Sequence, residues 1–201
     1  MMATMEISAA QVKQLRDKTG AGMMECKAAL TEANGNMDEA MTLLRKRGLA
    51  QAAKRAGRTT AQGAIGSYIH MGGKIGVLVE VNCESDFVAR TEDFQNLARE
   101  IAMHIAAASP QYLKREDVPA DVLERERAIY RDQVKDKPAQ VVEKIVEGKL
   151  NSFYEQVCLL DQPSIRDPKV TIGQTVQQAI AKMGENISVA RFVRFKLGET
   201  A

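Results

Sequence analysis

The apolar positions of this chain recur at helical intervals over the first fifty residues, alternate in pairs between about residues 64 and 81, and return to helical intervals before a final alternating run. Val12 and Leu15 stand three apart behind Ser8, whose hydroxyl can cap a helix, and Thr19-Gly20-Ala21-Gly22 supplies glycines for the left-handed turn of a helix stop. The spacing predicts a second helix from about Met23 to Ala33, with Met23, Cys26, Ala29, Leu30 and Ala33 on one face and Asn34-Gly35-Asn36 as its end. A third takes Asp38 to Arg47, turns Ala40, Met41, Leu43 and Leu44 inward, and closes at Gly48. Three helices within residues 1–49 make a minimal bundle whose small core is marginal unless tightly packed.

Residues 50–62 change character to Ala, Lys, Arg, Gly and Thr with no apolar face of useful width, which predicts a linker, helical at its start. From residue 63 onward a second unit is expected. Ala64 to Met71 alternates partly, Gly72-Gly73 marks a primed hairpin turn, and Lys74 to Val81 is apolar and β-branched enough for a largely buried strand. Asp86-Phe87 falls on the connection to a helix that Thr91 can cap and that carries Phe94, Leu97, Ile101, His104 and Ile105 to a stop at Ser109-Pro110. His104 is expected to pack on or beside that apolar face. A helical hairpin should follow, one arm from Asp117-Val118-Pro119 to about Val134 and the other from Pro138 toward Cys158. Thr171 then caps a helix through Val176, Ile180 and Met183, ended by Gly184, and Ile187 to Phe195 alternates as a strand with one solvated face does. The predicted class is α+β: a three-helix module, then a core over 63–201 of a three-stranded antiparallel sheet covered by helices and a helical hairpin.

Composition narrows the function more by exclusion than by assignment. The 28 basic and 26 acidic residues leave a formal charge of +2, far from the field that general nucleic-acid binding requires, so a protein partner fits better. No apolar run approaches membrane-spanning length and Met1 to Ala10 lacks a secretory layout, which makes the cytoplasm the expected location. Cys26, Cys83 and Cys158 are odd in number and far apart, and the two histidines, His70 and His104, have no second ligand at metal spacing. No metal or cofactor site is expected.

Phosphate loops, dinucleotide fingerprints and His-Glu-x-x-His are all absent. Glu84 and Asp86 could serve acid–base work, but no nucleophile accompanies them, and Lys54, Arg55 and Arg58 could meet RNA, although a solvated connector explains them as well. An interaction protein is favoured over an enzyme. Composition alone places Phe87 in a core, since burial is the commoner fate of a Phe.

Two stretches carry a family resemblance: Val12 to Leu30, reading VKQLRDKTGAGMMECKAAL, and Val79 to Arg90, reading VEVNCESDFVAR. Both resemble the signatures of the translation elongation factor Ts family, and Ile101 to Ala107 and Arg191 to Phe195 extend the likeness over nearly the whole chain. The resemblance implies a ubiquitin-associated-like N-terminal module, no covalent chemistry, no cofactor, and a partner, elongation factor Tu, from which GDP is ejected. It also reverses the expectation for Phe87. In the family the Asp-Phe pair intrudes beside the partner's magnesium and phosphate site, while an Arg and a Met-Met pair dock on its nucleotide-binding domain. Carried over, these are Asp86, Phe87, Arg16, Met23 and Met24, and His70 matches a His-containing motif of the longer members. Two departures are visible: Ser85 stands where the family usually has Thr, and one core unit replaces the two of longer members. Short members pair their cores, so a homodimer is expected.

Overall fold

Ser8 caps helix α1 (Ala9–Thr19) through a reciprocal pair, its hydroxyl accepting from the Gln11 N–H at 3.2 Å while its own N–H donates to Gln11 Oε1 at 3.0 Å. This computed structural model describes residues 7–199; the outermost residues of the two predicted units, 1–6 and 200–201, lie outside the described residues. Helix α2 (Met23–Glu32) follows the Gly20 turn, and Asn36 caps α3 (Met37–Arg55) by accepting from the Asp38 and Glu39 N–H groups. Their shared core is Val12, Leu15, Cys26, Ala29, Leu30, Ala33, Ala40 and Leu44. Met23, expected on the inward face of α2, is instead exposed at its start.

Gly48 does not close α3, which continues for seven more residues to Arg55. The reason is tertiary. A Cβ at Gly48 would lie 3.1 Å from the Ala181 Cβ, so the glycine marks a close helix crossing, and Ala52 one turn further on is buried in the main core. Leu49 to Ala53 are good helix formers, and once packed against a neighbouring helix they outweigh the cost of one internal glycine. The basic Lys54 and Arg55 fall in the last turn, where they complement the exposed carbonyls.

The second unit is a three-stranded antiparallel sheet in the order β1 (Gln62–Ile69), β2 (Ile75–Cys83), β3 (Ile187–Lys196). The hairpin differs from the expected two-residue Gly-Gly turn. His70 pairs with Ile75 through its N–H, and the Gly73 N–H donates to the His70 carbonyl, so Met71 and Gly72 are the central residues of a turn within a four-residue loop. Gly72 takes φ +87° at the third turn position, which a side chain would strain. Opposite that tip, β2 runs beside β3 with an irregularity between Glu80 and Val81, and Cys83 pairs with Ile187.

One face of the sheet, with Val77, Val79 and Val81, is closed by α5 (Glu92–Ala108) and α8 (Ile172–Met183), which bring Phe94, Ile101, Ile105, Ile172 and Ile180 into the same core. Thr91 caps α5 and Thr171 caps α8, as their positions predict. Between them α6 (Ala120–Asp132) and α7 (Ala139–Val157) form the predicted helical hairpin around Val134, Val146 and Leu150. His104 is fully buried on α5, with Nε2 at 2.9 Å from Gln162 Oε1 and Nδ1 accepting from the Ile165 N–H at 3.4 Å. It ties α5 to the segment that leads into α8, which is the packing role its position predicts. The class is α+β, and no helix among the described residues is long and apolar enough to cross a membrane.

Candidate partner-binding site

Strand β2 ends at Cys83, and two residues later Ser85 starts a one-turn helix, α4 (Asp86–Ala89). The Ser85 hydroxyl accepts from the Val88 N–H at 3.3 Å, and the Arg90 N–H closes the turn on Asp86 and Phe87 carbonyls. Asp86 occupies the first helical position, where a carboxylate complements the N-terminal amides, and the Arg90 guanidinium donates to it at 2.7 Å. Val88 and Ala89 face inward and are buried, which turns Phe87 outward: 78% of its surface is exposed. The composition-based expectation of a buried Phe87 is therefore overturned. A bare phenyl ring held in water forfeits the roughly 1.5–3 kcal/mol that burial would give.

The mount itself is well tied. The Cys83 thiol donates to the Ser85 carbonyl, the Glu185 carboxylate accepts from both the N–H and hydroxyl of Ser85, and the Gln95 amide donates to the Ala89 carbonyl at 2.7 Å. Glu84 accepts from the Asn186 N–H at 2.6 Å and lies 3.5 Å from Arg58. Both carboxylates once available for acid–base work, Glu84 and Asp86, are thus engaged with donors of this chain. So is Arg58 of the basic stretch.

The N-terminal candidates sit apart from that loop in sequence, on the first two helices, and all three are exposed. Met23 and Met24 open α2 just past the Gly20 turn, Met24 at 76% exposure, and Arg16 lies in the last turns of α1 with its side chain in solvent. Leu15 and Cys26 of the same two helices are fully buried in the core that α1, α2 and α3 share. His70 is elsewhere. It occupies the hairpin tip, its Nδ1 3.1 Å from the Tyr68 hydroxyl, while Asp86-Phe87 follows the other end of β2. Nine residues of strand separate the two, about 30 Å at the usual rise. Within one chain the structure does not bring His70 and Phe87 together.

A feature the residue pattern did not single out is the second face of the sheet. Ile65 on β1, Leu78 on β2 and Val193 and Phe195 on β3 are all exposed, with Leu78 paired to Val193 and Gly76 to Phe195 across the ladder. Strict alternation in Ile187 to Phe195 predicted a polar outer face. The bulge between Glu80 and Val81 changes which residues of β3 face outward, and the signal that could have found it is the apolar content of both phases of that strand.

The cysteines are buried and unpaired, Cys26 under the module and Cys83 and Cys158 in the core unit. Burial pushes their thiols up, that of Cys158 to about 11, so none is a ready nucleophile.

Fold and site together define an α+β protein that displays an acid and an aromatic ring on a tied one-turn helix, with a pair of exposed methionines at the start of α2. The family profile described as Elongation factor TS matches residues 1–199. Curated relatives named Elongation factor Ts include that of Fervidobacterium nodosum, 64% identical over 97% of this chain and 100% of its own length. Those of Koribacter versatilis and Thermosipho melanesiensis are both 60% identical, over 97% and 96% of this chain and 90% and 100% of their own lengths. The chain belongs to the elongation factor Ts family, a family of translation elongation factors.

Proposed function

We propose that this chain is a guanine nucleotide exchange factor that binds elongation factor Tu in its GDP form and promotes GDP release, in the cytoplasm and without covalent chemistry or a cofactor. The observation that carries the reading is Phe87, an apolar ring held in solvent on a helix tied at both ends. Such a group has its use in a partner. An exchange factor binds the nucleotide-free state more tightly, and by linkage the nucleotide's own affinity falls by the same factor. Weakening a nucleotide from nanomolar to micromolar needs about 4 kcal/mol, more than a single surface contact supplies. Two anchors meet that demand: Arg16, Met23 and Met24 grip the nucleotide-binding domain, while Phe87 wedges and Asp86 disturbs the water shell of the partner's magnesium. Residues 1–49 would act as a ubiquitin-associated-like gripping module, 50–62 as its connection and 63–201 as the wedge-bearing core.

The functional unit in this reading is a homodimer. The exposed apolar sheet face of Ile65, Leu78, Val193 and Phe195 supports it, because a neighbouring copy gives that face something to bury against. The separation of His70 from Phe87 supports it too, since His70 of one protomer and Asp86-Phe87 of the other can then address one partner molecule. The decisive measurement is release of labelled GDP from purified elongation factor Tu. Acceleration by the wild-type chain, lost in Phe87→Ala with the fold intact, bears out the reading; equal release with and without the chain overturns it. Light scattering at micromolar concentration tests the dimer, for which a mass of 22.1 kDa across the range would be fatal.

A further inference from the structure

The ladder between β2 and β3 ends with Cys83 opposite Ile187, so continuing its antiparallel register sets Glu84 opposite Asn186 and Ser85 opposite Glu185. At those two positions side-chain bonds replace the backbone ladder. The Asn186 N–H donates to Glu84 Oε1 at 2.6 Å, the Ser85 N–H donates to Glu185 Oε2 at 3.0 Å, and the Ser85 hydroxyl donates to Glu185 Oε1 at 2.6 Å. The same hydroxyl oxygen accepts from the Val88 N–H as the cap of α4. Orienting the hydroxyl proton toward Glu185 leaves a lone pair for that amide, so the carboxylate sets the geometry of the cap as well as the position of Ser85.

We propose that Glu185 is a positioning residue for exchange: from the turn between α8 and β3, its carboxylate holds Ser85 and thereby fixes the direction in which α4 presents Asp86 and Phe87. The inference rests on the exchange reading given above and adds to it a residue a hundred positions beyond Ser85. The companion residue Asn186 braces the same turn from the other side. It is buried, and its side-chain amide donates to the Arg58 carbonyl at 2.8 Å. One turn back, Lys182 pairs with Asp93 at 2.6 Å, in the first turn of the helix that follows α4, and its stem lies beside Gly20, with Cε 3.3 Å from where a Cβ would stand. The end of α8 thus touches both the first turn of α5 and the turn that precedes Met23 and Met24, and the turn that follows α8 holds the cap of α4. A one-turn helix has too few internal bonds to hold its own axis against the load of a partner. The carboxylate from a strand-anchored turn supplies what the helix lacks.

Amide hydrogen exchange of the wild-type chain, Glu185→Ala and Glu185→Gln tests the latch without any partner. In Glu185→Ala the Val88 and Ala89 amides should exchange faster by about tenfold or more, as loss of two charge-assisted bonds implies, while Val79 and Val81 in the sheet keep their protection. Glu185→Gln keeps an oxygen that can accept from the Ser85 N–H and should recover much of the protection. Unchanged α4 amides overturn the proposal, and so does a uniform rise that includes Val79 and Val81, which would make Glu185 a general stabiliser. In GDP release from elongation factor Tu, Glu185→Ala should lower the maximal rate about tenfold and leave the half-saturating concentration nearly unchanged, because Arg16, Met23 and Met24 remain. Loosened α4 amides with an undiminished maximal rate also overturn the positioning role. A wild-type chain that fails to accelerate release sinks the exchange reading instead, and the hydrogen-exchange result still decides whether Glu185 holds the helix.

Discussion

Helices α4 and α5 begin six residues apart in the same way and end with opposite uses. Each has a hydroxyl cap, Ser85 or Thr91, whose oxygen accepts from the N–H three residues on, and each turns that third residue inward: Val88 in α4 and Phe94 in α5, both buried. The position before it points outward in both. In α5 that outward position holds Asp93, paired to Lys182; in α4 it holds Phe87. Once packing has turned Val88 and Phe94 inward, helix geometry exposes the position before each, and α5 fills it with the charged residue that solvent favours. An aromatic ring at the corresponding place in α4 has no local reason to be there, which is the physical ground for assigning it to a partner.

The sharpest break between the two phenyl rings is in stability. Phe94→Ala should cost about 3–5 kcal/mol in denaturant unfolding, because it empties a fully enclosed site beside the sheet. Phe87→Ala should change unfolding by no more than about 0.5 kcal/mol, since it removes a ring already in water. Its effect should appear in GDP release instead. If Phe87→Ala unfolds the chain as readily as Phe94→Ala does, the distinction collapses and Phe87 is a packing residue.

Removing residues 1–48 should weaken binding to elongation factor Tu strongly, because Arg16, Met23 and Met24 leave together. The crossing of α3 over α8 at Gly48 and Ala181 adds a stability loss that composition alone did not forecast, as the face of α8 beneath it is uncovered. Titration calorimetry with the partner and thermal melting of the same truncated chain separate the two effects. Unchanged affinity would remove the module from the site.

The caps give a smaller and more selective comparison. Thr91→Ala should cost about 1 kcal/mol of stability as an ordinary cap loss, and Ser85→Ala should cost more, because the hydroxyl's bond to Glu185 goes with the cap. Only Ser85→Ala should also slow GDP release beyond what its stability explains. Equal exchange by the two variants would mean that the cap of α4 has no special task.

The smallest effect is acid-dependent and falls on the α5 side. Burial holds the His104 imidazole below its usual value of 6.5, with the Gln162 bond and Glu100 opposing that shift only in part. The unfolded chain therefore takes up the proton first as pH falls. Stability should decline from about pH 6.5 downward, until the folded-state value is reached, and His104→Asn should flatten that slope. An unaltered slope in His104→Asn would place the acid sensitivity elsewhere.

Much of the architecture was legible along the chain because it depends on local chemistry. Ser8, Thr91 and Thr171 stand at helix starts, Gly20 and Gly184 at left-handed stops, and the apolar run of β2 is a strand, although only its Val77, Val79 and Val81 face is buried and Leu78 is exposed where a largely buried strand was expected. Gly48 was misleading for a complementary reason. A glycine ends a helix when nothing packs on it, and lets a helix continue into a close crossing when something does, and only the position of Ala181 distinguishes the two. The hairpin loop was similarly ambiguous, since Gly72-Gly73 fits more than one register of β1 on β2.

For the site the division is plainer still. Residue types and order by themselves determined the α+β class, the two family signatures, and the placing of Asp86 and Phe87 on a strand-to-helix connection, because periodicity, capping and motif are properties of neighbours in sequence. Tertiary structure alone decided that Phe87 faces water and not the core, that His70 stands a strand's length from it, and that an apolar sheet face is left open. It also decided that Glu185, a hundred residues on, holds Ser85. Each of these depends on which side of an element meets which neighbour, a quantity set by packing between segments remote in the chain, and no local pattern encodes it.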